Sequence, residues 1–253
     1  MCVWHEGIAH RGAIEVASCI LKWVKTKFTP LPKPEVRKLI ILSDRCCGQN
    51  NNWRMLNLMS MLISMGYFTQ VEQKFMVSGH SFLPCDRSFA TIEKRGKVSV
   101  LHTPDDVSKM ILEAQPAKPF KVMRMQCEDF RHLPDSVLKR PAGLQITSVR
   151  WLKVTGIGKG IDRKHWLILR SDDSISQLRI LGICTPDRAT VYLRLISKPK
   201  QGATPQPPYF ASHYPRAYES PLPIKKNKYQ DLMTMLNYLP AAARSFYKSL
   251  QSE

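Results

Sequence analysis

Acidic residues are scarce in this sequence: 20 Asp and Glu stand against 38 Lys and Arg over 253 residues, leaving a formal charge of +18. The deficit runs through both halves of the chain, so no single basic tail produces it. A field of that sign repels cations and attracts phosphate backbones, whose counterions are released on contact, so nucleic acid is the expected partner. Long apolar runs are missing too. The most apolar stretch, Met55 to Phe68, is interrupted by Asn57 and Ser60. It falls short of the ~20 apolar residues of a membrane helix, and no membrane partner is expected. The seven cysteines are scattered from Cys2 to Cys184 without a Cys-x2-Cys pair, and no secretory leader precedes them. That excludes a disulfide framework and makes reduced thiols in nucleus or cytosol the expectation. No helix-turn-helix, zinc-finger or RNA-recognition signature is visible, so a target sequence cannot be read.

What is present suits a packed protein, with 43% hydrophobic and 23% charged residues. Met1 to Trp4 reads as the tail of a strand, beginning abruptly enough to suggest that strands are missing upstream. From Gly12 to Lys27 apolar residues recur at helical spacing, before Pro30, Pro32 and Pro34 end the pattern. Lys38 to Ser43, KLIILS, is a continuous apolar run such as a strand covered on both faces shows, and it ends at Asp44. A polar turn from Cys46 to Asn52 precedes a helix from Trp53 to Met65, stopped by Gly66. A strand over Val71 to Val77, a loop over Gly79 to Pro84 and a helix over Cys85 to Lys94 follow. The TPDD at Thr103 caps a helix over Asp105 to Ala114.

Alternating strands and helices predict an α/β fold with a mixed sheet. Four divisions are expected: a core over 1–115, a β-rich region over 116–197, a proline-rich linker over 198–225 and a helical tail over 226–253. Seven prolines fall between 198 and 223, and Pro240 should break the tail helix.

Two-metal phosphodiester chemistry requires carboxylates converging from different elements, so that two Mg²⁺ or Mn²⁺ ions hold the attacking and leaving oxygens. Asp44 at a strand end, Asp86 early in a helix and Glu15 on the first long helix are the candidate ligands. Each also has a bland explanation, as a turn residue, a cap or a partner of the helix dipole. Cys46, Cys47, His80 and Cys85 offer a competing zinc site, weakened because adjacent cysteines rarely share one tetrahedral ion. A cysteine nucleophile at Cys85 or Cys46 with His80 lacks any supporting context. Trp53, Trp151 and Trp166 lie among basic residues and would stack bases if exposed, although tryptophans are more often core.

The order of elements resembles the ribonuclease H fold, with the helix at Glu15, the strand ending at Asp44 and the helix at Asp86 in the places of its central helix, fourth strand and last helix. Met1 to Trp4 would end the third strand, and the first-strand carboxylate has no counterpart. Longer stretches resemble a domain of unknown function found in transposon-like proteins of insects, hydra and other animals. They include WHEGIAHRGAIEVASCILKWV, LSDRCCGQNNNWRMLNLM, FMVSGHSFLPCDRSFATIEK, PFKVMRMQCEDF and the closing PLPIKKNKYQDLMTMLNYLPAAARSFYKSL. The pairing of SD-x-C-x-GQN with GHS-x4-CDR-x-F is specific.

The resemblance extends to ribonuclease-H-like transposase catalytic domains and implies metal-dependent cutting or joining of DNA. Asp44, Asp86 and Glu15 would hold metal, and His80 would assist. Arg45, Gln49, Asn50, Arg54, Arg87 and Lys94, beside the two aspartates, would contact the nucleic acid. Arg45 and Cys47 stand where similar sequences have Asn and Gly, and a fixed positive charge beside Asp44 competes with a metal ion. The alternative is a catalytically dead basic module that binds nucleic acid or protein.

Overall fold

The computed structural model describes residues 1–30, 36–76, 83–133, 145–157, 164–170, 191–194 and 214–253, with backbone alone at 156–157, 164–170 and 191–194. The expected α/β class is what it shows. Two compact units share the chain: Arg11–Ser81 with His132–Pro215, and Met1–His10 with Phe82–Arg131 and Arg216–Glu253. This grouping differs from a linear division at 115. The segment after 132 supplies strands to the first unit, and the two chain ends join Phe82–Arg131 in the second.

The first unit centres on one helix. α1 (Ala13–Lys27) precedes β2 (Lys38–Ser43), α2 (Trp53–Ser64) and β3 (Gln70–Phe75), and β5 (Trp151–Ile157), β6 (Lys164–Arg170) and β7 (Val191–Arg194) complete a five-stranded sheet. The strand order is β2-β3-β5-β6-β7, with β2 parallel to β3 and the other pairs antiparallel. The mixture follows from the connections. β2 and β3 are joined by the crossover helix α2, which parallel neighbours require.

Nine consecutive α2 residues, Met55 to Ile63, are buried. A helix apolar on every side is stable only when enclosed. Ala17, Leu21 and Val24 of α1 cover it from one direction, and Val71, Phe75, Leu152 and Val154 of the sheet join the same core cluster. Asn52 caps α2 by accepting the Met55 N–H at 3.0 Å. Beyond its C-terminal end Gly66 adopts φ 78°, where a side chain would be strained.

One expectation is overturned at β2. Leu39 and Ile41 pack on the core, but Lys38, Ile40 and Leu42 are exposed, so the run is covered on one face only. Next to it on the same face, Glu72 of β3 is buried by partners rather than by a layer. It accepts from Trp151 Nε1 at 3.0 Å and Gln70 Nε2 at 2.5 Å, and pairs with Lys74 at 3.8 Å. Lys74 lies 4.7 Å from the centre of the Trp151 ring. Trp151 is therefore half-buried and committed to this network, and the side chain of Trp166 lies outside the described residues.

In the second unit β1 (Cys2–Val3) pairs in parallel with β4 (Met123–Arg124) as a separate two-stranded sheet. Met1 to Trp4 is a strand as expected, but it does not join the sheet that carries Asp44. α3 (Pro84–Gly96) has no buried residue, whereas α4 (Pro104–Glu113) buries Met110 and Ile111. The tail forms α5 (Lys226–Thr234), a short 3-10 turn and α6 (Ala241–Lys248), broken at Pro240 as expected. Phe130 is fully buried, with Trp4 and Tyr218 ring centres 5.6 and 6.0 Å away.

Leu62→Ala, which opens a cavity in the fully buried α2, should cost about 2–5 kcal/mol of stability. Gly66→Ala should cost about 1 kcal/mol through its positive φ. Denaturant midpoints measure both, and equal small losses would contradict the enclosed-helix core.

Candidate functional site

The segment from Asp44 to Asn52 leaves β2 and enters α2, and nearly every polar side chain in it is used to shape that connection. Asp44 is exposed, and its Oδ1 accepts from Cys46 N–H at 3.1 Å and from Asn50 Nδ2 at 2.6 Å. The Cys46 carbonyl in turn accepts the N–H groups of Gln49, Asn50 and Asn51. Asn51, fully buried, donates to the carbonyls of Thr147 at 3.1 Å and Val149 at 3.4 Å. Gln73, equally buried on β3, donates 3.1 Å to both Ser43 Oγ and the Asn50 carbonyl. Short polar side chains that bond nearby backbone are what order such a turn.

Glu15 meets this loop. It is 3% exposed, sits in the first turn of α1, and its Oε2 accepts the Gly12 N–H at 2.7 Å. A Cβ placed on Gly12 would lie 3.1 Å from that oxygen and 3.9 Å from the Gly48 carbonyl oxygen, so the start of α1 abuts the turn after Asp44. Asp86 belongs to the other unit. Its Oδ2 accepts the Leu83 N–H at 2.7 Å and so caps α3. His80 lies outside the described residues.

The three carboxylates offer hard oxygen donors suited to Mg²⁺ or Mn²⁺, but each spends an oxygen on a backbone N–H. Among the described residues no three His, Cys, Asp or Glu side chains gather to hold a metal ion. The described donor set therefore does not fit a two-metal centre. Cys46, Cys47 and Cys85 are exposed. Partial desolvation, then the charge of Asp86, pushes the Cys85 thiol above its ordinary value, against the thiolate that a nucleophile or zinc ligand needs.

The expected nucleic-acid contacts divide in two. Arg45 donates to the Thr147 carbonyl at 2.7 Å, which directs its guanidinium into the fold, and Asn50 is spent on Asp44. Gln49 and Arg54 are half-buried. Arg87 and Lys94 are exposed on α3, seven residues apart and hence on one face of the helix. On the same helix Lys97 pairs with Glu93 and Arg95 with Glu113. Among the described residues no carboxylate lies in ion-pair range of Arg87 or Lys94.

Sequence reasoning missed a cavity of about 460 Å³ in the second unit. Trp4, His5, Thr103, Arg124 and Phe246 are among its walls. An adjoining hollow shares Trp4, His5, Thr103 and Phe246. The first turn of α4 is closed there by a capping box, in which Asp106 accepts the N–H groups of His102 at 3.0 Å and Thr103 at 2.8 Å. Those hydrogen bonds hold the Asp106 carboxyl below its ordinary value. Burial lowers the His5 pKa, and the neighbouring Glu6 charge opposes that only in part. The walls come from four separated stretches of sequence, so no local spacing betrays them.

The molecule is thus a basic α/β protein with Arg87 and Lys94 exposed on one face of α3 and a strand-end aspartate that orders a turn. The sequence profile described as Domain of unknown function (DUF7869) matches residues 8–155, more than half of the chain, and the protein belongs to that family. No curated protein and no solved structure matches it.

Asp44→Asn keeps an acceptor at Oδ1 and should leave the melting temperature nearly unchanged, whereas Asp44→Ala frees the turn and should cost about 1 kcal/mol. Equal effects of the two would show that the hydrogen bonds do not order the loop. The pH dependence of His5 has a definite sign. Its folded pKa lies below the unfolded value, so stability is complete above the ordinary histidine range and falls as pH drops through the folded pKa. Thermal melts of the wild type and His5→Phe from pH 7.5 to 5 should converge only if this histidine contributes.

Proposed function

We propose that this chain is a transposon-derived domain of ribonuclease-H-like ancestry that binds nucleic acid, most naturally DNA, and that this copy does not retain the ancestral strand-cutting activity. The observation that carries the reading is uncompensated positive charge: +18 overall, with Arg87 and Lys94 exposed on one face of α3 and without an ion-pair partner among the described residues. Phosphate contacts of this kind give affinity without base readout, in keeping with the lack of any recognition-helix signature. The reading also places the protein in nucleus or cytosol. No helix among the described residues is long and apolar enough to cross a membrane.

The carboxylates support the non-cleaving reading. Asp44, Asp86 and Glu15 each bond a backbone N–H that a turn or helix start would otherwise leave without a partner. A second reading, a surviving metal site, has one observation in its favour: the start of α1 with Glu15 abuts the turn after Asp44. Titration of Mn²⁺ into the protein, beside an Asp44→Asn, Asp86→Asn double variant, separates the two. Binding lost in the variant would revive the nuclease, and no binding to either protein supports the binding module.

Fluorescence anisotropy with labelled duplex and single-stranded DNA tests the binding itself. Affinity should fall steeply with salt. In Arg87→Ala, Lys94→Ala the magnitude of the log–log slope should fall by about 0.9 per lost phosphate contact on duplex DNA. Salt-independent or undetectable binding at low ionic strength would sink the proposal.

A further inference from the structure

The parallel pairing of β2 with β3 leaves the other edge of β2 without a strand among the described residues. The Arg37 carbonyl accepts from Thr69 and the Ser43 carbonyl from Met76, so the odd-numbered backbone groups face β3. In a parallel pair the N–H and C=O of the intervening residues face the opposite side. Lys38, Ile40 and Leu42 therefore present their backbone at the open edge. Their side chains stand on the uncovered face, where Ile40 is 54% and Leu42 49% exposed. Asp44 continues the alternation and is exposed as well.

Read along that face, the edge is Lys38, Ile40, Leu42, Asp44: a cation, two apolar residues and an anion. Antiparallel pairing of this edge with itself about Ile41 sets Ile40 opposite Leu42 and Lys38 opposite Asp44, twice over by symmetry. Both opposed pairs share a face, and the residues involved carry the outward backbone groups, so pleat and hydrogen bonding agree with the register. Centring on Ile40 instead would set Lys38 against Leu42. Asp44 Oδ1 takes both of the loop hydrogen bonds described above, which leaves Oδ2 for a lysine.

We propose that β2 is a homodimerisation edge, through which two copies join their sheets about a two-fold axis at Ile41. The occupant is a second copy because charge and apolar order are self-complementary, an isologous arrangement that closes after two subunits. Pairing also answers the hazard of an open apolar edge, which otherwise invites indiscriminate strand addition. Six residues per strand make a small interface, so the dissociation constant should be on the order of micromolar.

Sedimentation velocity on the full chain over a range of concentrations tests this. A monomer–dimer equilibrium is expected, and Lys38→Glu should weaken it by about tenfold by setting Glu against Asp44 of the partner. Lys38→Glu mixed with Asp44→Lys should form a heterodimer, because each of its two cross-strand pairs is then of opposite charge, while either variant alone associates about tenfold more weakly than the wild type. Should Asp44→Lys fail to fold by circular dichroism, Ile40→Glu takes its place as a second variant, expected to be monomeric. A wild type that remains monomeric at high concentration overturns the proposal. So does open-ended aggregation, or a dimer that survives both Lys38→Glu and Ile40→Glu.

Discussion

Enclosure of α2 is the constraint on which the first unit depends. Its sequence, WRMLNLMSMLIS, has apolar residues on every side, and nine consecutive positions are withdrawn from water. One layer cannot cover a cylinder, so α1 and the sheet must both be in place. That requirement brings the distant segment at Trp151 to Ile157 against β3, because two short parallel strands alone do not make a sheet wide enough to cover a helix. The antiparallel strand β5 is thus part of the same core as the first helix, and the carboxylate of Glu15 is buried at the start of the helix that closes it.

Periodicity made most elements legible. The observed bounds of α1, β2, α2, α4 and the broken tail lie within a few residues of those expected, because each combines an unambiguous period with a proline, a glycine or a capping residue at its ends. What periodicity does not carry is the identity of the partner. KLIILS reads as a doubly covered strand because all four central residues are apolar, yet whether a face is covered depends on what lies across it. Met1 to Trp4 is a strand by composition, but only the structure assigns it to Met123–Arg124. The compact units escaped detection for the same reason, being set by contacts between segments distant in sequence, such as β3 with β5 and β1 with β4.

The motif after β2 shows how chemistry and architecture become confounded in a sequence. A carboxylate at a strand end followed by Gly-Gln-Asn-Asn-Asn suits metal-assisted chemistry, and it equally suits a turn. Asp and Asn are favoured in both because a short side chain with fixed acceptors can hold a metal ion or its own backbone. The hydrogen bonds decide the matter for Asn50, Asn51, Asn52 and Arg45, all of which are spent on the loop or on the segment at Thr147 to Val149. For Asp44 they decide half: Oδ1 is committed to the turn, while the residue stays exposed.

That residual exposure matters because Asp44 stands where two demands meet. As the last outward position of the β2 edge it supplies the only negative charge in the row Lys38, Ile40, Leu42, Asp44. A basic surface repels a second copy of itself, so association between identical chains requires a place where the repulsion is locally cancelled. Lys38 and Asp44 at opposite ends of one strand provide it, and they do so only in the antiparallel sense. The charge that draws the protein to a polyanion and the pairing that would join two copies are therefore compatible: bound phosphate lowers the net charge of each subunit and strengthens whatever contact the β2 edge makes.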